Sequence, residues 1–162
     1  MYSPVPHFTR SLNALSSVLT KAEAHAAAKK IDPAVLVNAR LFPDMLPFWR
    51  QITIACDHAK GASARLTGTE NPSFPDEEKT FAELQARIAK TLAFIATVPA
   101  EAFADADGKM ITLKVGQNEM TFPAPDYLSG FAIPNFYFHM TTAYNILRKN
   151  GVELGKRDFM GA

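Results

Sequence analysis

Four histidines, at positions 7, 25, 58 and 139, and one cysteine, Cys56, are the side chains best suited to metal ligation or proton transfer. No H-x3-H or H-E-x-x-H spacing occurs, so any metal centre must draw its ligands from different helices. Residues 133–158 set His139 in an aromatic run together with Asn135, Thr142, Tyr144 and Asn145. At roughly 100° per residue, Phe136, His139, Met140, Ala143, Ile146 and Leu147 share one broad helix side. His139 thus falls at the inner edge of an apolar face, where either a functional histidine or a hydrogen-bonded core histidine would sit. A second row, Asp44, Gln51 and His58, repeats at sevens and spans about 40° of an ideal helix. Ala55 and Ala62 beside it leave room, which fits a pocket wall or a hydrogen-bonded seam.

The chemistry open to these groups is a two-histidine, one-carboxylate set: His139 and His58 with Asp44 or Asp57, holding a divalent metal such as zinc, nickel or iron. His139 would otherwise act as a general base oriented by Asp44. Gln51, Asn135 and Tyr144 would supply hydrogen bonds to a bound small molecule. Nucleophile chemistry has little support, because Cys56 lies on a different side of its helix from His58 and no nucleophile elbow occurs. GVELGK lacks the spacing and the following Ser/Thr of a phosphate loop. Lys156, Arg157 and Asp158 read as surface or interface contacts.

Four amphipathic helices must position these residues. Phe8, Leu12, Leu15, Leu19, Ala22 and Ala26 predict a first helix over residues 7–30, with His25 on its flank. Asp32-Pro33 is a start signal for a second helix over 34–67, broken near 41–47 by Pro43 and Pro47 and stopped by Gly68. Residues 69–79 form a loop whose composition offers no face to bury. Phe81, Leu84, Ile88, Leu92 and Ile95 predict a third helix over 81–98. Residues 109–115 alternate like a strand, 116–118 can turn, and 119–122 can return, which predicts a small hairpin. The fourth helix begins near Tyr127 or, after a break at Pro134, near Asn135. The expected fold is all-α: a single domain over 1–162, a four-helix bundle with a β-hairpin between helices three and four.

Composition narrows the function classes. Hydrophobic residues make up 48% and charged residues 20%, which suits a folded core rather than a disordered chain. Seventeen basic and sixteen acidic residues are well mixed, so the footprint of a nucleic-acid binder is missing. No leader pattern and no apolar run of membrane-spanning length is present. One cysteine allows no internal disulfide. A cytoplasmic protein without nucleic-acid or membrane partners is the expectation.

Three stretches, ARLFPDMLPFWRQITIACDHAKGASARLTG, ENPSFPDEEKTFAELQARI and IPNFYFHMTTAYNILRKNGVELGKRDF, resemble a domain-of-unknown-function family of bacterial and fungal proteins within the DinB/YfiT-like metalloenzyme superfamily. The resemblance spans nearly the whole chain and implies a four-helix bundle with long crossovers, packed as a homodimer. It also implies one metal-binding histidine on helix two and a pair at i, i+4 on helix four. His139 matches the first of that pair, and Ala143 stands where the second would be. Two functions follow: a metal-dependent enzyme or small-molecule binder with a pocket between helices two and four, or a non-catalytic dimeric module whose ancestral metal site has been lost. Phe131, Phe138 and Phe159, outside the main stripes, are the expected apolar cover for a dimer.

Overall fold

Helix start and stop signals divide the chain much as its periodicities predict. The structure, a computed structural model, describes residues 1–162. Helix α1 (Val5–Lys29) closes on Lys30 in the left-handed region, and the short α2 (Pro33–Val37) starts where the Asp32 carboxylate accepts a hydrogen bond from the Ala34 N–H. Helix α3 (Phe48–Thr67) begins after Pro47 and stops at Gly68, whose φ of +80° suits glycine. Helix α4 (Phe81–Ala96) opens with a capping box between Thr80 and Glu83. Two short 3-10 turns lead into strands β1 (Met110–Val115) and β2 (Asn118–Pro123), which pair antiparallel with Lys114 opposite Glu119.

The break expected at Pro134 is instead a widened turn. A helical path runs from α5 (Ala124–Asp126) through a π-helical turn (Tyr127–Ala132) into α6 (Ile133–Lys149). Pro134 has no N–H to give the preceding turn and its ring crowds that turn, so the wider spiral keeps the axis continuous. A final short helix, α7 (Lys156–Met160), folds back on α1, where Asp158 accepts from the Lys21 ammonium at 2.6 Å.

Helices α1, α3, α4 and α6 form the bundle around a core of 34 buried apolar residues, with α3 packed most extensively on α6 and α4. Phe8 meets Phe136 edge-on at 4.9 Å between α1 and α6, and Phe48 meets Phe81 at 6.3 Å between α3 and α4. Cys56 is fully buried among these side chains. No helix is long and apolar enough to cross a membrane.

The break expected near residues 41–47 is present and longer, since residues 38–47 leave the helical path altogether between α2 and α3. One expectation is corrected: the loop over residues 69–79 does bury surface. Its Pro72 carbonyl accepts from the Lys60 ammonium at 2.6 Å and its Pro75 carbonyl from Arg87 at 2.9 Å. Lys60 and Lys90 lie 4.2 and 4.1 Å from the centre of the Phe74 ring, a cation–π clamp on the loop.

Candidate functional site

Helices α3 and α6 bring two of the candidate histidines together. The His58 and His139 rings lie nearly parallel, 15° apart in plane, with centroids 6.1 Å apart. His139 is 9% exposed, and its Nδ1 lies 2.7 Å from Gln51 Oε1. The Gln51 amide is itself oriented, since its Nε2 donates to the Leu46 carbonyl at 2.9 Å. Its oxygen therefore faces His139 and accepts from an Nδ1–H, which leaves the Nε2 lone pair free. Neither ring nitrogen of His58 has a partner within the chain. Only Glu78 Oε2 and Arg87 Nε are both buried and unpartnered, so the open histidine nitrogens reach solvent.

Burial makes both rings poor proton acceptors. Desolvation pushes His139 down to about 4, helped by the nearby Arg50 charge. Desolvation also pushes His58 down to about 4, helped by His139 and Arg65 and opposed by Asp57. At neutral pH both imidazoles are uncharged.

A cleft of about 330 Å³ opens beside His58. Leu113 and Val115 of β1 and Phe131 of the π-helical turn form its apolar walls, while Asp57, Arg65, Lys114 and Asn135 supply its polar edge. Phe131 meets the His58 ring edge-on at 5.8 Å. Asn135 donates to the Phe131 carbonyl at 2.8 Å, and Tyr127, fully buried on the same turn, accepts from Arg65 Nη1 at 3.1 Å. The wide turn thus seats two aromatic rings against α3, in keeping with the frequent use of such turns at sites.

Of the sequence-predicted site residues, His58 and Asn135 line the cleft, His139 and its partner Gln51 stand next to His58, and Asp44 and Tyr144 join neither. Asp44 is exposed in the irregular link before α3, because the helix that would align it with Gln51 starts only after Pro47. Tyr144 donates instead to the Leu154 carbonyl at 3.3 Å and packs on Phe159, fastening the C-terminal tail. Asp57 reaches the cleft, but its Oδ1 is already paired with Lys60 at 3.2 Å and Arg87 at 3.0 Å. No three His, Cys, Asp or Glu side chains group closely enough to hold a metal ion. Two imidazoles with Ala143 in the third position do not fit a centre enclosed by three protein ligands. Sequence reasoning missed Arg65, although the spacing that links Gln51 to His58 continues by another seven to reach it.

The comparisons agree with this architecture. The family described as "Domain of unknown function (DUF1993)" matches residues 1–160. The chain is similar to a crystal structure of a DinB family member protein from Shewanella denitrificans, solved at 1.83 Å. That likeness has a TM-score of 0.92 and 44% identity, over 98% of this chain and 89% of the other. No curated protein matches the sequence. With its full length matched and its bundle and hairpin in place, the chain belongs to the DUF1993 family of DinB-like proteins.

Proposed function

We propose that the protein binds a small molecule in the cleft between α3, β1 and the turn that leads into α6, against the neutral His58 imidazole, whose ring lies parallel to that of His139. One observation carries the reading: the Leu46–Gln51–His139 relay, which fixes one tautomer and keeps the second nitrogen open. A histidine that only fills space gains nothing from an oriented, unpaired acceptor. Rings protonated only near pH 4 are weak bases at neutral pH, so they suit accepting a hydrogen bond better than abstracting a proton. The cleft volume lies at the lower end of ordinary ligand pockets, which limits the ligand to a compact molecule. Gln51 acts through His139, and Asn135 lines the rim. A cytoplasmic location fits one buried thiol with no disulfide partner.

The competing reading, an enzyme dependent on zinc, nickel or iron, needs a third ligand that the chain does not place beside the two histidines. The test is imidazole-selective NMR of protein purified without chelator or affinity tag, titrated with a panel of compact amides, alcohols and carboxylates. The expected result is that at least one compound moves the His58 and His139 resonances together, and that His58→Ala removes the response. Silence across the panel would sink the binding reading, and stoichiometric zinc, nickel or iron in the same preparation would replace it with the metalloenzyme.

A homodimer is a second element of the proposal. Phe138, whose ring lies 5.2 Å from that of His139, is 57% exposed, and Leu46, at the far end of the relay, is 44% exposed. A second copy covering this surface would bury both, and sedimentation showing only monomer at micromolar concentration would refute it.

A further inference from the structure

The charged groups around the cleft do not cancel. On the α4 side of α3, Arg50, Lys60 and Arg87 pair with Asp57, Asp76 and Glu78, three cations against three carboxylates. The negative charge of Asp57 is therefore matched inside that cluster. Lys114, opposite Glu119 in the hairpin register, forms no ion pair with it and adds a second cation to the cleft rim. Arg65 has no carboxylate partner, and its one hydrogen bond goes to the neutral Tyr127 hydroxyl. Most of its five donors remain free.

The backbone beneath Arg65 is shaped for it. Gly61, one turn earlier on α3, is buried in the helix interior, where glycine weakens a helix relative to alanine. A Cβ built at Gly61 would fall 2.3 Å from Arg65 Nη1 and 3.4 Å from its Cζ. The Nη1 end of the guanidinium thus occupies the space that a side chain at 61 would take. That path carries it back along α3 toward His58, into the cleft that Phe131, Leu113 and Val115 wall with apolar surface.

We propose that the cleft takes a compact carboxylate with an apolar body, its oxygens gripped by the Arg65 guanidinium and its body against Phe131, with Gly61 as the positioning residue that lets Arg65 lie there. The inference rests on the cleft being a small-molecule site and names the ligand class. A planar guanidinium matches a carboxylate through paired, charge-assisted hydrogen bonds that a neutral analogue of the same shape does not make.

The test uses benzoate and its near-isostere benzamide on the whole protein, read by the shifts of the His58 and His139 imidazoles. Wild type should bind benzoate at least tenfold more tightly than benzamide. Arg65→Gln should erase that preference by weakening benzoate far more than benzamide. Gly61→Ala should weaken benzoate several-fold with the melting temperature maintained, which separates displacement of Arg65 from loss of fold. Arg65→Lys should fall between wild type and Arg65→Gln, since a point charge lacks the fork. Equal affinity for the two probes, or unchanged benzoate binding in Arg65→Gln, would overturn the carboxylate assignment and leave the cleft as a site for neutral ligands. Failure of both probes to move either histidine would overturn the assignment, and silence of the wider compound panel as well would remove the cleft reading beneath it.

Discussion

Asp57 and His58 are neighbours on α3 and both reach the cleft, yet their polar atoms serve different purposes. Asp57 joins a cluster in which each charged group has an opposite charge within reach and Arg87 is 3% exposed. His58 faces α6 and the hairpin with both ring nitrogens unpaired. The first side is closed in charge, since each ion meets an opposite one and together they pin the 69–79 loop, although Glu78 Oε2 and Arg87 Nε lack a hydrogen bond. The second is open, since its one relay ends in a lone pair. A helix turns about 100° per residue, so adjacent positions can be given to a structural task and a binding task without sharing partners.

The largest effect should come from breaking the closed side. Arg87→Ala leaves Asp57, Asp76 and Glu78 near one another without the guanidinium, and should cost about 3–5 kcal/mol in urea unfolding. The His139 tautomer, read by nitrogen chemical shifts, should not change. A loss below about 1 kcal/mol would place the cluster among solvent-screened surface pairs and erase the contrast.

Acid should act next, and on the open side. Both histidines are held near 4 in the fold and titrate near 6.5 in the unfolded chain, so between these values the unfolded state binds more protons. Their neutral burial is fully accommodated above about pH 6.5, and stability is lost as the pH falls from there toward 4. Each ring should contribute a loss of about 3 kcal/mol across that window. His139→Gln should flatten the slope by about half, and an unchanged slope would mean that carboxylates rather than these rings set it.

The smallest effect sharpens the comparison within the relay. Gln51→Leu removes the acceptor for the His139 Nδ1–H and should cost about 1–2 kcal/mol. The ring should then lose its single tautomer, while the Arg87 cluster and the loop stay as they were. A His139 still locked as the Nδ1–H form would show that packing against Phe138, and not the amide, orients it.

The helices were legible in the sequence because each apolar stripe repeats locally. The stripe from Phe81 to Ile95 and the Asp32-Pro33 start signal needed no distant partner, and the alternation near residues 110–115 marked the hairpin. The pairing of His58 with His139 was within reach, since both sit at apolar edges of neighbouring helices. Asp44 was misplaced because an angular argument holds only along an unbroken helix, and Pro43 and Pro47 end it. The anchored loop was not legible, because Lys60 and Arg87 meet their carbonyl partners only after folding. Tyr144 belongs to the tail for the same reason: Leu154 and Phe159 reach it through a turn that no period announces.

Cys56 lies where the closed side meets the core, and its isolation has a practical consequence. Burial pushes its thiol up to about 12, offset only in part by the nearby Thr91 hydroxyl on α4 and the Arg87 charge. Thiolate is the reactive form, so an alkylating reagent finds almost none of it while α3 and α4 stay together. Labelling must wait until the two helices part. As the chain has no other cysteine, the rate at which it takes up one equivalent of reagent is a clock for the opening of that single seam, read without any engineered probe.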